Sequence, residues 1–99
     1  MVNRIESTQK FDEQYRSRVI KRVRKLFDEQ FALFKKNPHD PRLNRHTLDH
    51  QWSGYESFNV DDDYRVIFKE RRGKYMFIAF GNHDQLYRPW KKTKQKSGR

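Results

Sequence analysis

Apolar residues at Phe11, Tyr15, Val19, Val23, Leu26, Phe27, Phe31 and Phe34 recur at steps of three and four, the spacing that lines up one face of an α-helix. Ser7 and Thr8 stand just ahead as N-cap oxygens, and no Gly or Pro interrupts the pattern until Pro38. One straight helix over residues 9–36 would run about 42 Å, whereas a compact chain of this size is only about 30 Å across. The pattern therefore predicts two helices with a bend near Arg16 to Val19. Asn37-Pro38-His39-Asp40-Pro41 closes them, because neither proline can continue a helix, and the stretch to Gly54 reads as a loop.

Beyond Gly54 the period changes to two. Strand-like runs at 55–60, 64–70 and 74–81 are separated by Asp61-Asp62-Asp63 and by Arg71-Arg72-Gly73, which predicts an antiparallel meander. Three-residue turns would pair Asn59 with Arg65, and Arg65 with Ala79, on one face. The opposite face would carry Phe58, Val60, Tyr64, Val66, Phe68, Met76, Ile78 and Phe80, and would pack on the helical stripe. That leaves the Asn59, Arg65 and Ala79 face open to a ligand. With a short strand at 2–6 the order is β-α-α-β-β-β: an α+β domain with two helices on one face of a small antiparallel sheet. Trp52, Tyr55 and Tyr64 read as packing residues, and Asp61 and Asp62 as turn residues.

At 99 residues the chain fits one domain, drawn here at 1–90, with 91–99 as a basic tail of five cationic and no apolar residues. Eight Phe, five Tyr and two Trp compensate for an apolar content of only 33%. No run of eighteen apolar residues offers a membrane span, and the start lacks a secretory apolar stretch, so a soluble, cytoplasmic protein is expected. The absence of cysteine excludes disulfides, thiolate metal sites and thiol nucleophiles. The net charge of +10 is concentrated at the ends: residues 1–36 hold ten basic against five acidic groups, and 86–99 hold six basic and none acidic. Such a surface attracts polyanions, nucleic acid first among them. Arg16, Lys21, Arg22 and Lys25 around the helix bend, and Lys91, Lys92 and Lys94 in the tail, are the candidate RNA contacts, although a basic helix face can equally be simply solvated.

Acid-base work near neutral pH falls to four histidines, His39, His46, His50 and His83. His83 follows the last strand, close to the expected neighbour of Arg65, and His46 lies in the loop that can fold over the open face. An RNA phosphodiester can be cut by its own 2′-hydroxyl, given a base for that hydroxyl, an acid for the leaving 5′-oxygen and a cation for the developing charge. His46, His83, Arg65 and Tyr87 can fill those roles without a metal; surface histidines and a structural arginine are the plainer reading. The spacing His46-x-x-Asp49-His50 suggests zinc only if helical, in a proline-bounded loop with no third ligand. No glycine-rich phosphate loop or serine elbow is present, and no cofactor is expected.

The phrases Leu48-x-x-x-Trp52-Ser53-Gly54-Tyr55, Asp63-Tyr64-Arg65-Val66-Ile67-Phe68 and Phe80-Gly81-Asn82-His83-Asp84-Gln85-Leu86-Tyr87, in that order, resemble the RelE/ParE superfamily of type II toxins over residues 2–87. The resemblance implies the RelE-like fold and, for the RelE and YafQ branches, a ribosome-dependent endoribonuclease that cuts messenger RNA in the decoding site and is neutralised by an acidic antitoxin. Carried across by position, it makes Arg65 the contact to the scissile phosphate, His83 the general acid and Tyr87 an aromatic beside the site. His46 matches a loop histidine and Asp63 an acidic residue of YafQ-like members. Those members have a histidine where this chain has Asn59, which takes no proton at neutral pH, so the base falls to His46 first and Asp63 second. Two other outcomes remain open on the same fold: a ParE-like inhibitor of DNA gyrase, and a non-catalytic module that binds nucleic acid or an antitoxin.

Overall fold

The computed structural model describes residues 4–87. Strand β1 (Arg4–Ser7) leads into helices α1 (Gln9–Arg18) and α2 (Lys21–Lys36), followed by strands β2 (His46–Thr47), β3 (Glu56–Asn59), β4 (Tyr64–Arg71) and β5 (Lys74–Asn82). Residues 83–87 are helical and form α3. Thr8 caps α1, its Oγ1 accepting from the Phe11 N–H at 3.0 Å. The bend falls at Val19 and Ile20, both in extended backbone, at the end of the stretch that helix length demanded. All eight stripe residues, from Phe11 to Phe34, are buried in the main core or packed against it. Phe34, fully buried, stacks on Phe58 at 4.9 Å and meets Tyr75 edge-on at 4.9 Å.

The sheet has the order β1-β5-β4-β3-β2. The expected antiparallel meander is its centre, but β1 pairs parallel with β5 and β2 adds an antiparallel edge from within the expected loop, so the sheet is mixed. The first hairpin has the expected three-residue turn, with Asn59 opposite Arg65. Asp61 Oδ1 builds that turn by accepting from the N–H groups of Asp63 (2.9 Å) and Tyr64 (2.6 Å).

The second hairpin corrects the expected register. Arg71 pairs with Lys74 across a two-residue turn in which Arg72 and Gly73 both have positive φ. One residue fewer in the turn shifts the phase of β5, so Tyr75 and Phe77 face the helices in place of Met76 and Ile78. A bulge then leaves Ile78 unpaired between Phe77 and Ala79 and returns Phe80 to the core. The two shifts together put Gly81, not Ala79, opposite Arg65.

Past Phe77 the edge of β5 has no strand partner among the described residues, and side chains of α1 and its cap take over. Thr8 Oγ1 donates to the Ile78 carbonyl (3.4 Å), Gln14 Oε1 accepts from the Phe80 N–H (3.0 Å) and Arg18 donates to the Phe80 carbonyl (2.9 Å). Burial there holds the Arg18 guanidinium below its ordinary pKa. Among the described residues no helix is long and apolar enough to cross a membrane.

Candidate active site

The face turned away from the helices is not open throughout, as the strand pattern suggested. Leu48, Ile67, Ala79 and Leu86 form a second buried cluster on it, with Trp52, Tyr55 and Tyr87 packed against them. Trp52 ties this cover together by donating from Nε1 to the Leu86 carbonyl at 3.1 Å, so its packing role is met. Tyr64 also packs as expected, on the main core with its ring 5.8 Å from Phe80. The cluster leaves only partly covered the end of the sheet at the β3–β4 turn, where half-buried Asn59 and Arg65 lie side by side in register with the buried Gly81.

Arg65 Nε and Asn59 Oδ1 are both buried and have no hydrogen-bond partner among the described residues. An unmatched buried donor or acceptor costs on the order of 1–3 kcal/mol, so a cross-strand pair holding one of each is a place where a ligand gains more than it does on ordinary surface. A guanidinium suits phosphate oxygens, and an amide oxygen suits a hydroxyl donor.

His83 sits one turn residue beyond Gly81 as the first residue of α3. A reciprocal cap fixes that start: Asn82 Oδ1 accepts from the Gln85 N–H (2.8 Å) while Gln85 Oε1 accepts from the Asn82 N–H (2.9 Å). Asp63 Oδ1 accepts from the His83 N–H at 3.3 Å, joining the β3–β4 turn to α3. The His83 ring is exposed and lies 4.7 Å from the Tyr87 ring at 45°. His83 Nδ1 is 3.9 Å from the Asp84 carboxylate. A Cβ on Gly81 would come within 2.9 Å of Arg18 Nη1 and Gln85 Oε1, so either side chain would have to give way and with it the bond it makes here.

His46 occupies the outer strand β2, opposite Ser57. Its Nδ1 is 2.9 Å from the Asn44 carbonyl and its Nε2 is 3.4 Å from Ser57 Oγ. Ser57 and Asn59 lie on the same face of β3 by alternation, which brings His46, opposite Ser57, to the same side of the sheet as Arg65. The spacing His46-x-x-Asp49-His50 is not helical: His46 is in β2, and His50 opens a short 3₁₀ turn. Among the described residues no group of three or more metal-ligating side chains comes together.

Of the candidate RNA contacts, Arg16, Lys21, Arg22 and Lys25 are exposed at the helix bend. Arg22 is committed to Asp61, at 2.9 Å. Lys91, Lys92 and Lys94 lie outside the described residues. Sequence reasoning missed Ser57, the Asn82 and Gln85 cap, and Arg45. The pattern Asn82-x-x-Gln85 is a legible capping signal, whereas Arg45 carries none. Arg45 is nearly buried, bonded to Glu56 (2.7 and 3.0 Å) and Glu70 (3.2 Å) over the Phe68 and Tyr75 rings, and it anchors the loop that carries His46.

The family model for YafQ, a bacterial toxin of type II toxin-antitoxin systems, matches residues 3–88. The chain belongs to the YafQ toxin family. As a RelE-superfamily toxin it shares its fold with YafQ from E. coli strain BL21(DE3), at a TM-score of 0.68 and 21% identity over 84% of this chain and 96% of that one. The E. coli DinJ-YafQ toxin-antitoxin complex gives a TM-score of 0.66 at 20% identity, over 84% and 94% of the two chains. A YoeB/ParE toxin from Agrobacterium tumefaciens gives 0.64 at 17%, over 81% and 98%. No curated protein is a match by sequence.

Proposed function

We propose that this YafQ-family toxin is a ribosome-dependent endoribonuclease that cuts messenger RNA in the decoding site. The observation that carries the reading is Arg65, an arginine with an unpartnered buried Nε, set in register between Asn59 and Gly81 with His83 two residues further along the chain. In the proposed reaction His46 Nε2 takes the proton of the substrate 2′-hydroxyl and the 2′-oxygen bonds to phosphorus. The bond from phosphorus to the 5′-oxygen breaks, and His83 gives that oxygen a proton. The products are a 2′,3′-cyclic phosphate and a 5′-hydroxyl end. Arg65 stabilises the charge that grows on the phosphoryl oxygens, and the Tyr87 ring orients His83. Asp63, whose Oδ1 accepts from the His83 N–H, ties the β3–β4 turn to His83 and is second to His46 as the base. No step calls on a metal or cofactor.

The partner is proposed to be an acidic antitoxin, supported by the assembly of E. coli YafQ with DinJ and by the net charge of +10 here. Ribosomes and messenger RNA place the action in the cytoplasm. Primer extension on cellular messages after induction tests the reading, with codon-phased breaks in translated regions expected. Equal breaks in naked RNA would remove the ribosome from it, and a replication block with intact messages would favour gyrase inhibition. Asn59, which cannot act as a base, favours a purely binding toxin as the second reading; intact messages and intact replication together would support that.

A further inference from the structure

We infer that Ser57 and the main-chain carbonyl of Asn44 fix His46 as the Nδ1–H tautomer, making Ser57 a positioning residue for a proton acceptor at Nε2. The inference rests on the proposed role of His46 as the base. A carbonyl oxygen only accepts, so the 2.9 Å contact from the Asn44 oxygen puts the proton of a neutral His46 ring on Nδ1. Asn44 aims that carbonyl from a left-handed backbone conformation, φ 51 and ψ 47. The bare nitrogen is then Nε2, and the hydroxyl 3.4 Å away must be its donor.

Ser57 is fully buried, and its Oγ bonds to His46 across the β2–β3 ladder. A buried hydroxyl is costly without a partner, so Ser57 holds the His46 ring against itself, on the sheet face that Asn59 and Arg65 share. Two contacts at opposite ring nitrogens leave the ring little freedom, although the residue is exposed to solvent. At 3.4 Å the Ser57 bond is long, and a substrate 2′-hydroxyl can replace it as the donor to Nε2. Without both contacts a neutral histidine in water favours the other tautomer, with the proton on Nε2 and no acceptor facing the substrate.

Nitrogen-15 shifts of the His46 ring in the full chain, measured above the pH at which histidine titrates, test this directly. The expected spectrum has a protonated Nδ1 and a bare Nε2. Asn44→Gly, which keeps both the left-handed backbone and the carbonyl, should leave that spectrum unchanged. Ser57→Ala should mix the two tautomers and lower the saturating single-turnover rate by up to about 10², with little change in KM. Ser57→Cys, a weaker donor of similar size, should recover part of both. A wild-type ring protonated on Nε2 would overturn the inference, and with it Nε2 as the base, whether or not Ser57→Ala folds; codon-phased cleavage would still keep the ribonuclease reading, with another base. Cleavage by His46→Gln at the wild-type rate would remove the base itself, and the catalytic meaning of Ser57 with it.

Discussion

Arg65 carries a buried Nε with no partner among the described residues. Alternation along β4 placed it on the face away from the helices, and the three-residue Asp61-Asp62-Asp63 turn placed it opposite Asn59. If it acts on charge that grows in the transition state, Arg65→Ala should lower the single-turnover rate by about 10² or more while ribosome affinity changes little. Arg65→Lys should recover only part, because an ammonium is a point charge without the two-pronged guanidinium contact. His83→Gln should slow cleavage too, and least for a linkage with a 5′-thio leaving group, which departs without a proton. Wild-type saturating rates from both Arg65→Ala and His83→Gln would transfer the function to the binding reading. Ser57 was not legible at this scale. Its importance depends on pairing with His46, and nothing local predicts a two-residue strand in a proline-bounded loop.

At the scale of elements, the helical stripe and the strand positions were legible because each rests on a local period. The register of β5 was not, since Arg71-Arg72-Gly73 can close as a three-residue or a two-residue turn. The observed turn places Arg72 at φ 54, a conformation that arginine seldom adopts, and the later bulge at Ile78 compounds the shift. That register sets Gly81 opposite Arg65, with the Arg18 and Gln85 side chains close against it. Gly81→Ala would press on Gln85 and Arg18, whose bonds cap α3 and the edge of β5. Thermal or denaturant unfolding should register a loss of about 1–2 kcal/mol, and cleavage should fall because His83 and Tyr87 sit on the capped turn. Unchanged stability and cleavage would show that the cap does not matter. The β3–β4 turn makes a pH-dependent case. Partial burial raises the Asp61 carboxyl, but the N–H groups of Tyr64 and Asp63 and the Arg22 guanidinium outweigh it, so the net pKa is lowered. A carboxyl depressed on folding stabilises the fold above its unfolded pKa of about 3.9 and loses that contribution as pH falls through the folded value. Asp61→Asn should therefore cost about 1 kcal/mol at pH 7, a gap that closes below about pH 4 in denaturant unfolding at a series of pH values. A gap independent of pH would assign the effect to turn geometry rather than to charge.

Among the described residues, the basic helix bend lies at the same end of the molecule as the proposed site. Arg22 reaches Asp61 in the β3–β4 turn and Arg18 reaches the Phe80 carbonyl, so the bend between α1 and α2 stands beside the partly covered end of the sheet. Net charge was readable from composition; this placement was not, because it depends on the helices crossing the sheet with the bend at that end. Arg16, Lys21 and Lys25 are exposed there, whereas Arg22 is held by a carboxylate and offers less to a second anion. Each free cation that neutralises a phosphate releases condensed counterion, which lowers the slope of log affinity against log salt by about 0.7–0.9. Replacing Arg16, Lys21 and Lys25 together with glutamine should weaken ribosome binding at low salt and flatten that slope by about 2–3, while the saturating single-turnover rate is preserved. The same triple variant should lose less affinity for an acidic antitoxin if that partner covers the Arg65 and His83 face rather than the bend. A salt slope equal to the wild type would mean that the bend does not touch RNA, and would leave the electrostatic attraction to other cations, Lys91, Lys92 and Lys94 among them. A fall in the saturating rate with an unchanged slope would instead tie the bend to the site's geometry, through Arg18 and the capped edge of β5.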